Sequence, residues 1–214
     1  LATPSRKIRE FVRREEDILQ AALVLFDSDH WLTVTVDSIA EAAEIGKGTV
    51  YKHFSSKEDI YVRLTLDFYY GLLDELTATD LQRPAPQVLR ELVAVALRYY
   101  ITRPEYRRVT QYCRRYDFLQ RTAEETKAAF AELDARFKSL SASILQHGID
   151  EGEFPAAVIE EMQFGMHACF DGAVDAVWVG CVQPGSDMDV YINAIADFVI
   201  AGLSSYGTVI QKKS

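Results

Sequence analysis

A chain of 214 residues with 49% hydrophobic content is long enough to bury the core of one or two domains. Its net charge of −9 excludes indiscriminate coating of nucleic acid, because an acidic surface repels phosphate. No apolar run reaches the roughly 18 residues of a membrane span, and the N-terminal stretch lacks an apolar signal core, so no membrane partner is expected and a cytoplasmic location is. Cys113, Cys169 and Cys181 are odd in number and far apart, which reads as reduced, mostly buried thiols rather than a metal or disulfide set.

In chain order, Phe11, Ile18, Ala22, Leu25 and Phe26 keep a helical rhythm behind a basic lead-in of Arg6, Lys7, Arg9, Arg13 and Arg14, which predicts a first helix over residues 7–26. Val34 and Ile39 flank Thr35 as a hydrophobic staple around an N-cap, starting a short second helix that runs through Ala43. Ile45 and Val50 do the same around Gly46, and a third short helix follows over residues 47–54. Lys47, Gly48 and Thr49 fill its first turn. There the backbone N–H groups and the positive end of the helix dipole favour an anion, and Gly48 has no side chain to hold a phosphate away. Val50 and Phe54, four apart, point inward, while Tyr51, Lys52 and His53 take the polar side.

Ser56 caps a long fourth helix over residues 57–77, with Asp59 as a short capping-box acid and a stripe of Ile60, Leu64, Phe68, Leu72 and Leu76. Pro84 and Pro86 mark a break. A fifth helix then carries Val88, Leu92, Val95, Ala96 and Tyr99 and ends before Pro104. A sixth, over residues 105–116, is rich in Arg and Tyr, and a seventh carries Phe130, Leu133, Phe137, Leu140 and Ile144 and ends at Gly148. After a GIDEGEFP turn come two largely apolar helices, 156–181 and 188–206, separated by QPGSD. The fold class is all-α, with about nine helices: a three-helix head containing a helix-turn-helix over residues 1–55, and a larger helical body over residues 56–214.

Residues 1–60 hold eight Lys or Arg against eleven Asp or Glu, net −3, so the head is not a basic domain. Its basic residues instead gather at the chain start and around the third helix as Lys47, Lys52 and Lys57. Such a layout suits binding through one face.

The residues Ile18-Leu19, Ala21-Ala22, Leu25-Phe26, Thr35-Val36, Ile39-Ala40, Lys47 to Phe54 and Ser56-Lys57-Glu58 together resemble the N-terminal DNA-binding domain of the TetR family of bacterial transcriptional regulators. The resemblance covers residues 8–60; beyond them the chain is similar only in being helical and of suitable length. Three positions depart from the family pattern. His30 and Glu44 stand where glycines commonly end the first and second helices, and Gly46 replaces the usual Ser or Thr cap. The resemblance implies a ligand-responsive repressor that binds a palindromic double-stranded operator as a homodimer and is released by a small-molecule effector. It implies phosphate contacts from Thr35, the Gly46, Lys47 and Gly48 turn, Tyr51, His53 and Lys57, with Thr49 and Lys52 reaching base edges.

The last two helices are too apolar for solvent on a broad face. Gly165, Ala168, Gly172, Ala173, Ala176 and Gly180 allow close helix approach, so a four-helix bundle between two chains is the expected homodimer contact. His167, Asp171 and Asp175 lie four apart on one face, with Trp178 just beyond. They read either as a pocket wall or as partners for Arg across an interface. With Phe68, Tyr112 and Tyr116 they form the expected effector set. The arginines interleaved with tyrosines between Arg98 and Arg121 favour an anionic ligand, the carboxylates a cationic one, so the class stays open. No HExxH, GxSxG, Walker-type loop or paired-cysteine spacing occurs, and no catalytic residue, metal or cofactor is expected. Two other classes remain: an interaction adaptor that has lost DNA binding, and a helical enzyme using His167 and Asp171.

Overall fold

A computed structural model describes residues 6–182 and 187–206. Within them the chain forms ten α-helices and no strand: α1 (Arg6–Phe26), α2 (Val36–Ala42), α3 (Lys47–Val50), α4 (Lys57–Thr77), α5 (Ala85–Ile101), α6 (Arg107–Cys113), α7 (Tyr116–Arg121), α8 (Glu124–Asp150), α9 (Ile159–Trp178) and α10 (Met188–Ser204). Short 3-10 turns lie at Trp31–Thr33 and Pro104–Tyr106. No helix among the described residues is long and apolar enough to cross a membrane. Most of the QPGSD link falls outside the described residues.

The chain divides into two compact units. The first takes the residues up to Phe68 together with Glu105–Lys127; the second takes Tyr69–Pro104 and the described residues from Ala128 onward. The three-helix head expected over residues 1–55 lies inside the first unit, which also holds the first half of α4 and all of α6 and α7. The first unit is cored by Ile18, Ala22 and Phe26 of α1, Ile39 of α2, Val50 of α3, and Ile60 and Leu64 of α4, each at most 2% exposed. Trp31 of the first 3-10 turn, Tyr61 of α4, Tyr112 of α6 and Phe118 of α7 form an aromatic run, with neighbouring ring centroids 4.9–6.1 Å apart. Burial pushes the Tyr61 hydroxyl far above its ordinary value, and likewise holds the Cys113 thiol up at about 12.

The second unit is organised on α5, which buries residues on several faces and packs against α9 and α10. Its start is set by two prolines. Pro84 precedes it and Pro86 sits in the first turn, where a missing N–H is no loss; the Ala85 N–H donates to the Glu153 carboxylate at 2.7 Å. Trp178 of α9 donates its indole N–H to the Tyr100 carbonyl at 3.3 Å, and the Tyr191 hydroxyl of α10 donates to the Ala173 carbonyl at 2.8 Å. Arg90 of α5 pairs with Asp197 of α10.

Three expectations change in detail. The sixth helix, expected over residues 105–116, is regular only as α6, Arg107–Cys113; the backbone of Arg115 is extended, and a separate α7 begins at Tyr116, carrying the buried Phe118. The seventh does not end at Gly148. Helix α8 runs on to Asp150, and Gly148 is there because Phe154 folds back against it: an added Cβ would lie 2.7 Å from Phe154 Cε2 and 2.8 Å from Ala85 Cβ. The thiols are also not all buried; Cys113 is, Cys169 is half-buried and Cys181 is exposed.

Candidate nucleic-acid interface

The turn between α2 and α3 fixes how the third helix is presented. Thr35 and Ser38 cap α2 reciprocally: the Thr35 hydroxyl accepts from the Ser38 N–H at 3.1 Å, and the Ser38 hydroxyl accepts from the Thr35 N–H at 3.0 Å. At the other end, the Ile45 N–H donates to Ala40 O at 2.9 Å and the Glu44 N–H to Glu41 O at 3.0 Å. This pair of bonds is a Schellman ending. It requires a left-handed residue, and Glu44 supplies it at φ 53°. Of the two departures from glycine, then, only Glu44 carries the unusual backbone; His30 sits at φ −98°. Gly46 caps α3 from extended backbone at φ −73°, ψ 142°, which any residue adopts, and provides no side-chain bond to the helix start.

Helix α3 is shorter than residues 47–54. It is regular from Lys47 to Val50, after which Lys52 and His53 donate to the carbonyls three residues back at 3.1 and 2.9 Å, tightening the last turn. Val50 is fully buried and Phe54 is 7% exposed, as their spacing requires. Lys47, Gly48, Tyr51 and Lys52 face solvent, and Thr49 is half-buried. Apart from the adjoining chain, nothing lies within 4 Å of where a Cβ would stand on Gly46 or Gly48, so the surface beside the helix start is open. The Lys47 ammonium is held by Asp37 of α2 at 2.7 Å, and this bond raises its pKa above the ordinary lysine value.

Two expected phosphate contacts are used elsewhere. The His53 side chain is only 4% exposed, stacked on Phe11 of α1 with centroids 4.1 Å apart and with Nδ1 3.6 Å from the Glu15 carboxylate. Its position on the polar side of the sequence pattern hid this, because α1 covers that side. The Lys57 ammonium donates to the carbonyls of Val34 at 3.0 Å and Leu32 at 3.3 Å, and lies 5.7 Å from the Tyr61 ring centre. It closes the chain between the first two helices. Asp37, Glu15 and Arg63 are site residues that no sequence signal flags, since their partners lie 10, 38 and 48 residues away.

The seven residues expected around an effector divide between the units. Phe68, Tyr112 and Tyr116 belong to the first: Phe68 is buried on Tyr106, Tyr112 sits in the aromatic run, and Tyr116 is 78% exposed. His167, Asp171, Asp175 and Trp178 belong to the second. Trp178 is a core residue against Tyr100, and burial lowers the pKa of the half-buried His167. Asp171 and Asp175 are exposed, on the stripe of α9 that also presents Phe164, Gly165, Ala168 and Gly172. Spacing put the three polar residues on one face, and of them only His167 is half-buried. An apolar groove between α9 and α10 is lined by Met162, Gly165, Met166, Cys169, Phe198 and Leu203 among others.

Comparison with known proteins bears on residues 18–64, which match the family model of bacterial regulatory proteins of the tetR family. Over 199 residues the chain is 29% identical to the HTH-type transcriptional repressor KstR2 of Rhodococcus jostii, covering 90% of this chain and 92% of that one. A crystal structure of a tetR-family regulatory protein from Rhodococcus RHA1 superposes with a TM-score of 0.74 at 20% identity, over 89% of this chain and 97% of that one. The regulator FadR of Bacillus subtilis, solved in complex with stearoyl-CoA, superposes at 0.68 and 19% identity, over 89% and 98%.

Proposed function

We propose that the chain, which belongs to the TetR family of bacterial regulatory proteins by its match over residues 18–64 and its likeness to a curated repressor, represses transcription as a homodimer on a palindromic operator and leaves the DNA when a small molecule binds its helical body. The observation that carries this reading is the open start of α3. Gly46 and Gly48 leave room there for a phosphate, Lys47, Tyr51 and Lys52 face outward, and Val50 and Phe54 anchor the helix from behind. Thr35, Gly46, Lys47, Gly48 and Tyr51 contact the backbone in this proposal. Thr49 and Lys52 read bases.

With residues 1–60 at net −3, affinity rests on these few donors rather than on bulk charge. Two recognition helices must then stand roughly 34 Å apart to meet successive major-groove faces. The exposed faces of α9 and α10 support a dimer contact: Phe164 and Phe198 are 63% and 71% exposed, and Gly165, Gly172 and Gly202 leave space for a second backbone. Asp171 and Asp175 fall on that contact rather than on a ligand. For the effector, the stearoyl-CoA bound to the Bacillus subtilis regulator supports long-chain acyl-CoA as the first compound to titrate.

The operator is to be recovered by selecting duplexes from a randomised pool with the purified chain. A two-fold-symmetric motif is expected, and a pool that keeps no preferred sequence would refute the reading. Phe164→Glu with Phe198→Glu should give a monomer by sedimentation and lose that operator; a double variant that still sediments as a dimer would refute the placement of the contact.

A further inference from the structure

The last turn of the recognition segment is tied to α4 by a chain of charged and polar contacts that the DNA-reading surface does not use. His53, three residues past the buried Val50, has its ring clamped on Phe11 and its side chain 4% exposed. Its Nδ1 makes no hydrogen bond and lies 3.6 Å from Glu15 Oε2. The other oxygen of the same carboxylate, Oε1, accepts from Arg63 of α4 at 2.7 Å. Arg63 in turn is held by both oxygens of Asp67, one turn along α4, at 2.9 and 3.0 Å. One carboxylate on α1 therefore faces the recognition segment with one oxygen and α4 with the other.

This placement has mechanical consequences. Glu15 is 20% exposed and the His53 side chain 4%, so solvent screens that contact little, whereas Arg63, 47% exposed, meets the same carboxylate from the solvent side. The His53 ring is stacked on its flat side against Phe11, and its Nδ1 edge faces the Glu15 carboxylate. Tyr51 and Lys52 directly precede His53, so any rotation of that ring's backbone moves the outward donors with it. Helix α4 is continuous from Lys57 to Thr77 and passes from the first unit into the second, so Arg63 rides on the element that leaves the head.

Resting on the regulator reading above, we propose that Glu15 is a positioning residue for DNA binding. It couples the Arg63 guanidinium of α4 to the His53 imidazole and so sets the rotation of the recognition segment according to where α4 stands. Arg63 and His53 do not need to touch for this. Their effects on operator affinity pass through one carboxylate.

The test is a triple-mutant cycle on the selected operator, read by fluorescence anisotropy with thermal melting of every variant alongside. His53→Phe keeps the stack on Phe11 and removes Nδ1; Arg63→Gln removes the fork. Each single change should weaken operator binding by about threefold to tenfold, and the pair by no more than the worse single. In the Glu15→Gln background neither should have a further effect; with Glu15 intact, Arg63→Lys, which keeps a cation within reach of it, should retain most of the affinity. Effects of His53→Phe and Arg63→Gln that multiply, or that persist in the Glu15→Gln background, would overturn the relay. So would lower melting temperatures with unchanged operator affinity, which would make the contacts structural only. If the wild-type chain selects no operator at all, the regulator reading fails first and the relay falls with it.

Discussion

Replacing Glu44 by glycine should stabilise the protein although no contact is added. The residue sits at φ 53° in the Schellman ending of α2. The chain builds the same ending twice more, after α8 and α9, and there uses Gly152 at φ 73° and Gly180 at φ 78°. A left-handed backbone costs an L-residue about 1–2 kcal/mol. Glycine gives back roughly 0.4–1 kcal/mol through the greater freedom of its unfolded chain. The net gain for Glu44→Gly is therefore about 0.5–1 kcal/mol, which in a chain of this size raises Tm by about 1–4 °C. Calorimetry on three variants separates backbone from charge. Glu44→Asn, which tolerates the left-handed region, should follow glycine, while Glu44→Gln, which removes the charge alone, should melt with the wild type. A Gln variant as stable as the Gly variant, or a Gly variant less stable than wild type, would refute the backbone account.

Gly148→Ala should cost about 1–3 kcal/mol in urea unfolding, because the new methyl meets Phe154 Cε2 at 2.7 Å and Ala85 Cβ at 2.8 Å in a packed site. Burial holds His167 below its ordinary 6.5, so between the two values the unfolded chain binds more protons than the folded one. Stability is then full above 6.5 and falls as pH drops through that value; melts from about pH 7.5 to 5.5 should show the fall, and His167→Gln should flatten it. Asp37→Asn releases Lys47 from its bond at 2.7 Å, and should strengthen binding to operator and random duplex alike while steepening the salt dependence by up to about one counterion.

The head was legible because its signals are local. Thr35 and Ser56 cap helices where their spacing to hydrophobic neighbours says they must, and Val50 and Phe54 turn inward as residues four apart on a short helix do. What the sequence hid was long-range pairing. His53 and Lys57 look like surface donors until α1 covers the one and the carbonyls of Leu32 and Val34 take up the other. The same limit explains the effector set. A spacing of four aligned His167, Asp171 and Asp175, but both faces of α9 are rich in small and apolar residues, so periodicity did not distinguish the core side, marked by Met162, Ala173 and Trp178, from the exposed one. The break at Arg115 was equally silent, since it is Phe118 reaching the aromatic run around Tyr112 that accompanies it.

The central claim is that an acidic chain reads DNA through a few placed donors on α3. It is tested most directly by titrating the purified chain against its selected operator and against a scrambled duplex of the same length at physiological salt. The operator should bind at least about 10³-fold more tightly, and Lys52→Ala should erode that ratio while Tyr51→Ala weakens both duplexes together. Equal affinities for the two duplexes would contradict the claim.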